Sequence, residues 1–302
     1  METTLKNFWL WTERHGRLRQ LLVALNINER YHQAREACLK LRYGRRKKIT
    51  IEDVECFFPL TGPVEREFFC QCQFGEAREA EVVRHMLRNM RTSRCFVDVG
   101  ANLGFYSILA AKAMKAGTVH AIEMDAENIS RIREAATLNN LNDLVVHHVA
   151  LGSRETQVTY YRAGSTTHTL AVTEAEKKSL ATVEVPMVPL DTLARQFDID
   201  VDLIKIDVEG AELEVLKGMT DILETSAPKV YVEVHLHEGR GSLALLGGSL
   251  SEILCLFEKL GYNTRALNLD ANGTILDEPI CSSDPPPGES VMLFAERSNG
   301  KN

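Results

Sequence analysis

The sequence contains no long hydrophobic run: no stretch of its 302 residues approaches the roughly 18 consecutive apolar residues that a membrane-spanning helix needs. The apolar residues 21–27 follow three arginines without a small-residue cleavage site, which predicts that no secretion signal is present. The seven cysteines form no C-x-x-C pair, and the histidines form no cluster at zinc-ligand spacing. We therefore expect a cytoplasmic protein with reduced thiols and no bound metal ion.

Charge is distributed unevenly along the chain. Residues 1–50 hold 12 Lys and Arg against 4 Asp and Glu, which gives +8, and the whole chain carries −7, so that the remainder carries −15. A basic segment of this kind can contact phosphate groups of a nucleic acid or acidic lipid headgroups. The basic character belongs to the N-terminal segment alone.

The N-terminal segment has the periodicity of an amphipathic helix. Largely apolar residues recur at three- and four-residue intervals and share one face: Phe8, Trp11, His15, Leu18, Leu22 and Leu25. This helix either docks on the main domain or makes a peripheral contact with an acidic membrane surface or partner. Residues 49–76 are interpreted as short β-prone pieces broken by proline and glycine. We expect residues 1–75 to form an N-terminal α/β extension.

From residue 76 onward, apolar runs of strand length alternate with longer helical segments, which is typical of an α/β protein. The predicted strands are 95–99, 118–122, 144–149, 201–206, 230–235, 262–267 and 290–295. The predicted helices are 76–90, 103–115, 126–139, 212–220 and 249–260. Two further β-prone pieces, 157–162 and 182–188, predict an inserted hairpin over the site. Right-handed crossovers give a mostly parallel, seven-stranded, doubly wound sheet over residues 76–297, followed by a tail at 298–302.

The first of these strands ends in a glycine-rich turn. Asp98 closes the strand, and Gly100, Asn102 and Gly104 follow with the spacing G-x-x-x-G before a helix rich in small residues. Glycine lets a backbone approach a ligand closely, and the N–H groups at a helix start offer hydrogen-bond donors. A dinucleotide site has G-x-G-x-x-G to seat a pyrophosphate, and Asn at position 102 argues against that cofactor.

Glu123 ends the second strand, about 20 residues after the turn. A carboxylate at this place can accept hydrogen bonds from both ribose hydroxyls of an adenosine. Adenosine without a pyrophosphate indicates S-adenosylmethionine. The predicted cofactor-binding residues are therefore Asp98, Gly100, Asn102, Gly104 and Glu123.

Three segments resemble motifs of the FkbM-type methyltransferases. F-V-D-V-G-A-N-L-G-F-Y-S at 96–107 is similar to the first motif of the family, and I-K-I-D-V-E-G-A-E at 204–212 is similar to its most characteristic one. V-P-L-D-T-L at 188–193 fits as well. The resemblance spans residues 95–237 and implies a Rossmann-like class I methyltransferase fold, S-adenosylmethionine as the donor and usually a hydroxyl acceptor on a sugar or polyketide. It does not name the acceptor.

Ionisable residues follow the fourth and fifth strands, at the edge of the sheet where ligands bind in open α/β folds. Asp207 either faces the cofactor or acceptor or caps the next helix, and Glu209 is predicted either to be structural or to support Lys205. Glu233 and His235 alternate with valines and point to one face. The predicted catalytic residues are His235, Asp207 and Glu233. His235 is the preferred base for the proton of a hydroxyl acceptor, and an ordinary hydrogen-bonded histidine is the alternative.

His168 lies in the predicted insert, where it either reaches over the acceptor or occupies an exposed turn. The alternative for Asp207, Glu233 and His235 is that they hold a divalent ion. Because these residues form no compact ligand set in the sequence, we expect no metal.

These observations lead to three alternative hypotheses about the function. The leading hypothesis is an O-methyltransferase acting on a small-molecule or glycan hydroxyl. The second is methylation of a peptide or nucleic acid, which rests only on the basic segment and is less favoured. The third is a non-catalytic cofactor-binding module whose N-terminal helix docks on a partner. The sequence does not fix the oligomeric state.

Overall fold

The computed structural model describes five parts of the chain, which are residues 44–71, 80–163, 168–269, 275–282 and 289–297. The predicted N-terminal amphipathic helix, the start of the predicted helix at 76–90 and the tail at 298–302 lie outside these residues. Among the described residues, no helix is both long and apolar enough to cross a membrane.

The chain divides into two compact units, which are described separately. One unit is Met1–Lys47 with Leu60–Cys72, and the other is Lys48–Pro59 with Gln73–Asn302. The described residues form fourteen strands and eight α-helices. The strands are β1 (Arg46–Ile51), β2 (Val54–Pro59), β3 (Cys95–Val99), β4 (Thr118–Glu123), β5 (Leu144–His148), β6 (Ala150–Leu151), β7 (Thr156–Arg162), β8 (His168–Thr169), β9 (Ala181–Val188), β10 (Leu203–Ile206), β11 (Lys229–His235), β12 (Tyr262–Leu269), β13 (Ile275–Pro279) and β14 (Ser290–Arg297). The helices are α1 (Pro63–Gln71), α2 (Ala80–Met90), α3 (Phe105–Ala113), α4 (Ala126–Leu138), α5 (Leu190–Phe197), α6 (Glu212–Lys217), α7 (Thr220–Thr225) and α8 (Leu250–Lys259).

Helix α1 in the smaller unit corrects the expectation of β-prone pieces throughout residues 49–76. Pro63 occupies the first helical position, where a missing N–H costs nothing because that donor has no partner within the helix. The Glu65 Oε2 atom accepts a hydrogen bond from the Gly62 N–H at 2.7 Å. Proline and glycine here start a helix, although by composition they look like breakers of a strand.

The main sheet in the larger unit has eight strands in the order β13-β12-β14-β11-β10-β3-β4-β5. Strands β3, β4, β5, β10 and β11 run parallel, while β14 is antiparallel to both β11 and β12. The class I α/β architecture is confirmed, but the expected count of seven strands is wrong. Strand β13 adds an edge next to β12, and its acidic residues and Pro279 hide it in the sequence because β-propensity there is low.

The central strands of the main sheet are apolar and buried. Strands β3 and β10 are buried on both faces, and Val97, Ile204 and Val232 are fully buried in one hydrophobic cluster. Strands covered on both faces read as short continuous apolar runs, which is why the sequence predicts them well. The carboxyl ends of these rigid strands position the side chains of the site.

The predicted insert is confirmed as an antiparallel hairpin. Strands β7 and β9 pair from Thr156 opposite Met187 to Arg162 opposite Ala181. The two-residue strands β6 and β8 complete a separate four-stranded sheet. The insert therefore has its own sheet and does not extend the main one.

A buried histidine pair on β4 and β5 predicts a loss of stability in acid. The His120 Nδ1 and His147 Nε2 atoms lie 3.0 Å apart, and burial lowers the pKa of His120 from 6.5 to about 4. The unfolded chain therefore binds a proton before the folded chain does. Stability should be intact above about pH 6.5 and should fall between pH 6.5 and 4 by up to about 1.4 kcal/mol per pH unit.

Urea unfolding between pH 7.5 and 4.5 measures this effect. We expect His120→Gln to flatten the pH dependence and His148→Gln, at an exposed position on β5, to leave it unchanged. An identical slope in wild type and His120→Gln would assign the acid sensitivity to other groups.

Candidate functional site

One cavity lies at the carboxyl ends of β3, β4 and β10, at the edge where both ligand sites are predicted. It contains about 690 Å³ of space outside the protein atoms, part of which is open solvent. The residues that line it are Val99, Gly100, Asn102, Ile122, Glu123, Met124, Asn128, Val149, Ala150, Leu151, His168, Leu170, Asp207, Val208, Glu209 and Ala211. Apolar walls and a few convergent polar groups give the cavity the character of a ligand site.

The glycine turn brings β3, β4 and β10 together at this edge. The N–H groups of Gly100 and Ala101 both donate to the Ile122 carbonyl at 3.0 Å. Gly100 has a φ of +78°, and a Cβ atom there would lie 1.9 Å from the Asp207 carbonyl oxygen. Close approach of the backbone to β10, rather than conformation alone, therefore requires glycine.

Replacing Gly100 with alanine should lower the free energy of unfolding by about 3 kcal/mol or more, because both the φ and the space are unsuitable for a side chain. Gly247→Ala is the matched control, since its φ is +77° and no atom lies within 4 Å of the added Cβ. That control should cost about 1–2 kcal/mol. Urea unfolding measures the free energy of unfolding of both variants. An equal loss in both would mean that the backbone around Gly100 moves to accommodate the added Cβ atom without further cost.

Glu123 faces the cavity from the end of β4 and is buried. The Asn102 N–H donates to its Oε2 atom and the Asp125 N–H donates to its Oε1 atom, each at 2.8 Å. Burial raises its pKa to about 7. Each carboxylate oxygen can accept more than one hydrogen bond, so the group retains capacity for a ligand.

The other predicted cofactor residues divide into two sets. Gly100 and Asn102 line the cavity together with Glu123, whereas Asp98 and Gly104 are not among its lining residues. The Asp98 Oδ2 atom accepts a hydrogen bond from the Ser107 hydroxyl at 2.6 Å, and burial raises its pKa. Asp98 thus ties the turn to helix α3 from within the protein.

A cluster of charged groups lies at the end of the cavity that Asp207 and Glu209 line, although His235 itself is not among the lining residues. The His235 Nε2 atom lies 3.9 Å from the Asp207 Oδ1 atom and 3.8 Å from the Glu209 Oε2 atom. Lys205 donates to the Asp207 Oδ2 atom at 2.9 Å. Helix α6 has no side-chain cap, so Asp207 faces the cavity and does not cap that helix. Glu209 also lines the cavity, and its expected structural role or support of Lys205 stays a prediction.

Glu212 is the residue of this cluster that sequence reasoning missed. It is fully buried, and its Oε1 atom lies 2.7 Å from the His235 Nδ1 atom and accepts a hydrogen bond from the Gly210 N–H at 2.9 Å. The motif I-D-V-E-G-A-E contains it, but position in sequence cannot show which of three acidic residues turns inward. Glu212 fixes the orientation of the His235 ring, so that Nε2 points to Asp207 and Glu209.

The protonation states follow from this arrangement. Burial alone would lower the pKa of His235, but the hydrogen bond to Glu212 and the nearby carboxylates raise it to about 9. Burial would likewise raise the pKa of Asp207, but Lys205 and His235 hold it below its ordinary value. Burial raises the pKa of Glu209. At neutral pH His235 therefore carries a proton. The sequence predicts His235 as the base but does not show that the ring must first lose this proton.

Glu233 and His168 lie apart from the charged cluster around Asp207 and His235. Glu233 is on β11 opposite Met292 and does not line the cavity, although its charge helps to raise the pKa of the buried Lys205. The His168 side chain lines the cavity and is only 7% exposed. The expectation of an exposed turn at His168 is therefore wrong. The described residues contain no group of three or more His, Cys, Asp or Glu that could hold a metal ion.

Comparisons with known proteins find methyltransferases among the relatives of this chain. Methyltransferase 1 of Beauveria bassiana is 25% identical over 145 residues, which cover 41% of this chain and 58% of that protein. Hexuronic acid methyltransferase AglP of Haloferax volcanii is 28% identical over 162 residues, which cover 52% of this chain and 62% of that protein. The chain thus spans about three fifths of the length of these curated relatives.

A solved structure of methyltransferase FkbM from Methylobacillus flagellatus superimposes with a TM-score of 0.40 and 19% identity, over 77% of this chain and 54% of that one. Residues 98–264 match the methyltransferase FkbM domain. This match includes the glycine turn, Glu123 and the cluster around Asp207. Since it covers more than half of the sequence, the chain belongs to the FkbM methyltransferase domain family.

Proposed function

We propose that this protein is an S-adenosylmethionine-dependent methyltransferase that acts on a hydroxyl group of a small-molecule natural product or a glycan. The observation that carries the proposal is the single cavity that contains both Glu123 and the pair Asp207 and Glu209. A carboxylate suited to ribose lies in the same space as groups that can orient an acceptor and take its proton. Membership of the FkbM family supports the same activity.

The residues of the cavity fit the cofactor. Glu123 can accept the ribose hydroxyls with the capacity that its two backbone donors leave. Apolar side chains such as Met124 and Leu151 offer a surface for a purine ring. Gly100 and Asn102 of the glycine turn line the same cavity. When bound, S-adenosylmethionine supplies an electrophilic methyl group on a positively charged sulfur.

The acceptor side can orient a hydroxyl and remove its proton. Asp207 stays ionised because its pKa is low, and it can accept a hydrogen bond from the acceptor. His235 takes the proton at Nε2 once that atom has lost its own, while Glu212 holds Nδ1–H. Alignment in a water-poor cavity lowers much of the barrier of an in-line displacement. The base adds roughly 10²-fold to 10⁴-fold.

The charge of the cavity favours a hydroxylated acceptor. Glu123, Asp207 and Glu209 are acidic, and the lining residues include neither Lys nor Arg within the described part of the chain. Carboxylates accept hydrogen bonds from sugar hydroxyls readily. A relative named for hexuronic acid methylation supports a glycan as the acceptor class.

Isothermal titration of the full chain with S-adenosylmethionine and, separately, with NAD tests the proposal. We expect binding of the first compound only, followed by methyl transfer to a member of a panel of hydroxylated sugars and polyketides. Binding of NAD alone, or of neither compound, would contradict it.

The same preparation distinguishes the other two functions. Methyl transfer to RNA, DNA or a peptide but to no small acceptor would replace the proposed substrate class. Binding of S-adenosylmethionine without turnover on any acceptor class would favour the non-catalytic module. Of the basic segment at residues 1–50, on which the nucleic-acid hypothesis rests, residues 1–43 lie outside the described residues.

A further inference from the structure

The insert is fixed to the main sheet next to the cofactor side of the cavity. The Tyr160 hydroxyl donates to the Asp125 Oδ2 atom at 2.9 Å, and Arg162 forms an ion pair with the same atom at 2.6 Å. Asp125 in turn caps helix α4 by accepting from the N–H groups of Glu127 and Asn128. Because Asp125 is buried and follows β4 closely, the insert has a defined position relative to Glu123.

Strand β8 carries two side chains with different contacts. The Thr169 hydroxyl donates to the Glu209 carbonyl at 2.6 Å and accepts from the Ala171 N–H at 2.8 Å. Successive side chains of a strand point to opposite sides, so His168 points away from Glu209. The His168 ring packs edge-on against Tyr160 and lines the cavity.

The His168 ring nitrogens have distant partners although the ring is buried. Its Nδ1 atom lies 3.4 Å from the Asn128 Nδ2 atom, and its Nε2 atom lies 3.9 Å from the Asp125 Oδ2 atom. The first separation is long for a hydrogen bond and the second is too long. Buried polar groups in native proteins are nearly always hydrogen-bonded. The two ring nitrogens of His168 therefore retain capacity for a hydrogen-bond partner within the cavity that this residue lines.

A chain of polar contacts places His168 at the ribose end of the cavity. The Asn128 amide that faces His168 also donates to the Asn102 Oδ1 atom at 3.2 Å. The Asn102 N–H donates in turn to Glu123. His168, Asn128 and Glu123 therefore form a continuous polar wall, and Met124 and Leu170 supply apolar surface in the same cavity.

We infer that His168 is a cofactor-binding residue, which the insert contributes to recognition of the adenosine half of S-adenosylmethionine. This inference rests on the proposed function. Burial lowers the pKa of His168, so its ring is neutral at pH 7 and can donate from one nitrogen and accept at the other. The insert then completes the cofactor site.

Titration calorimetry on the full chain tests the role of His168 with three ligands. S-adenosylmethionine and S-adenosylhomocysteine contain the amino-acid half, and 5′-methylthioadenosine lacks it. His168→Phe keeps the ring packing against Tyr160 but removes both ring nitrogens, and we expect Kd to rise about 10-fold for all three ligands. His168→Ala, a smaller side chain for the case that phenylalanine does not fit, also removes both nitrogens and should show the same loss.

Thr159→Ala is the matched control. Thr159 lies exposed on β7 of the same insert and does not line the cavity. We expect its Kd values to stay within about 2-fold of wild type. Equal losses in Thr159→Ala and the His168 variants would show that any change in the insert weakens binding, and would overturn the inference.

The remaining outcomes separate the inference from the proposed function. Wild-type binding of all three ligands with unchanged Kd in both His168 variants would overturn the inference alone. A loss for the two amino-acid-containing ligands without a loss for 5′-methylthioadenosine would also overturn it, because the contact would then lie elsewhere. Failure of the wild-type protein to bind any of the three would overturn the proposed function itself.

Discussion

Replacing Glu123 with alanine is expected to abolish binding of S-adenosylmethionine, with a loss of at least about 100-fold in affinity. The change removes the acceptors for two ribose hydroxyls, and charge-assisted hydrogen bonds contribute roughly 1.5–3 kcal/mol each. It also removes the partner of the Asn102 and Asp125 N–H groups. Titration calorimetry of variant and wild type at pH 8 measures the effect directly.

The pH dependence of binding adds an independent check on Glu123. Burial raises its pKa to about 7, and protonation removes part of its capacity to accept hydrogen bonds. Affinity should therefore decrease as the pH falls from 8 to 6. Glu123→Gln should bind weakly at both pH values and should lose this dependence.

Glu134→Gln serves as the control for both experiments. Glu134 lies exposed on helix α4 and does not line the cavity, so its removal changes the net charge by the same amount. We expect its affinity to match wild type. Wild-type affinity in Glu123→Ala would show that the ribose lies elsewhere and would refute the assignment of this site.

Replacing His235 with asparagine is expected to lower kcat by roughly 10²-fold to 10⁴-fold, the range for loss of a general base. The affinity for S-adenosylmethionine should stay unchanged, because the groups next to His235 are Asp207, Glu209 and Glu212, which the proposed function places on the acceptor side. Single-turnover methyl transfer to the best hydroxylated acceptor measures the rate, and calorimetry measures the affinity. A large loss of affinity with unchanged turnover would contradict the role of base.

The direction of the pH profile follows from the pKa of about 9 at His235. Only the neutral ring accepts a proton, so the wild-type rate should rise with pH up to about pH 9 and then level off. Glu212→Gln removes the buried carboxylate behind Nδ1, which stabilises the protonated ring. This variant should therefore shift the rise to lower pH.

A flat rate between pH 6 and 9 would identify a different base. Asp207 is the candidate in that case, since Lys205 keeps it ionised throughout this range. Asp207→Asn would then abolish turnover while His235→Asn retained it. The two profiles thus assign the proton acceptor between neighbouring residues that lie 3.9 Å apart.

Local signals in the sequence were sufficient to predict the central strands of the sheet and the glycine turn. Apolar runs at β3, β10 and β11 identify the central strands, because a strand covered on both faces needs an apolar side chain at nearly every position. The spacing of Gly100, Asn102 and Gly104 identifies the turn, and Glu123 follows at the expected distance. Each of these signals depends on a few consecutive residues or on one known spacing.

Other features depend on contacts between distant residues, which no local pattern records. The pairing of β13 with β12 is decided by the edge that the sheet leaves open, in spite of low β-propensity. The inward turn of Glu212 and the proton on His235 arise together from burial and from neighbours on β10 and β11. The position of His168 is likewise decided by the docking of the insert on Asp125. The sequence by itself determined the parallel centre of the sheet, the glycine turn and the place of Glu123 at the end of β4, whereas only the tertiary structure decided charge states and partners, since these depend on burial and on long-range contacts.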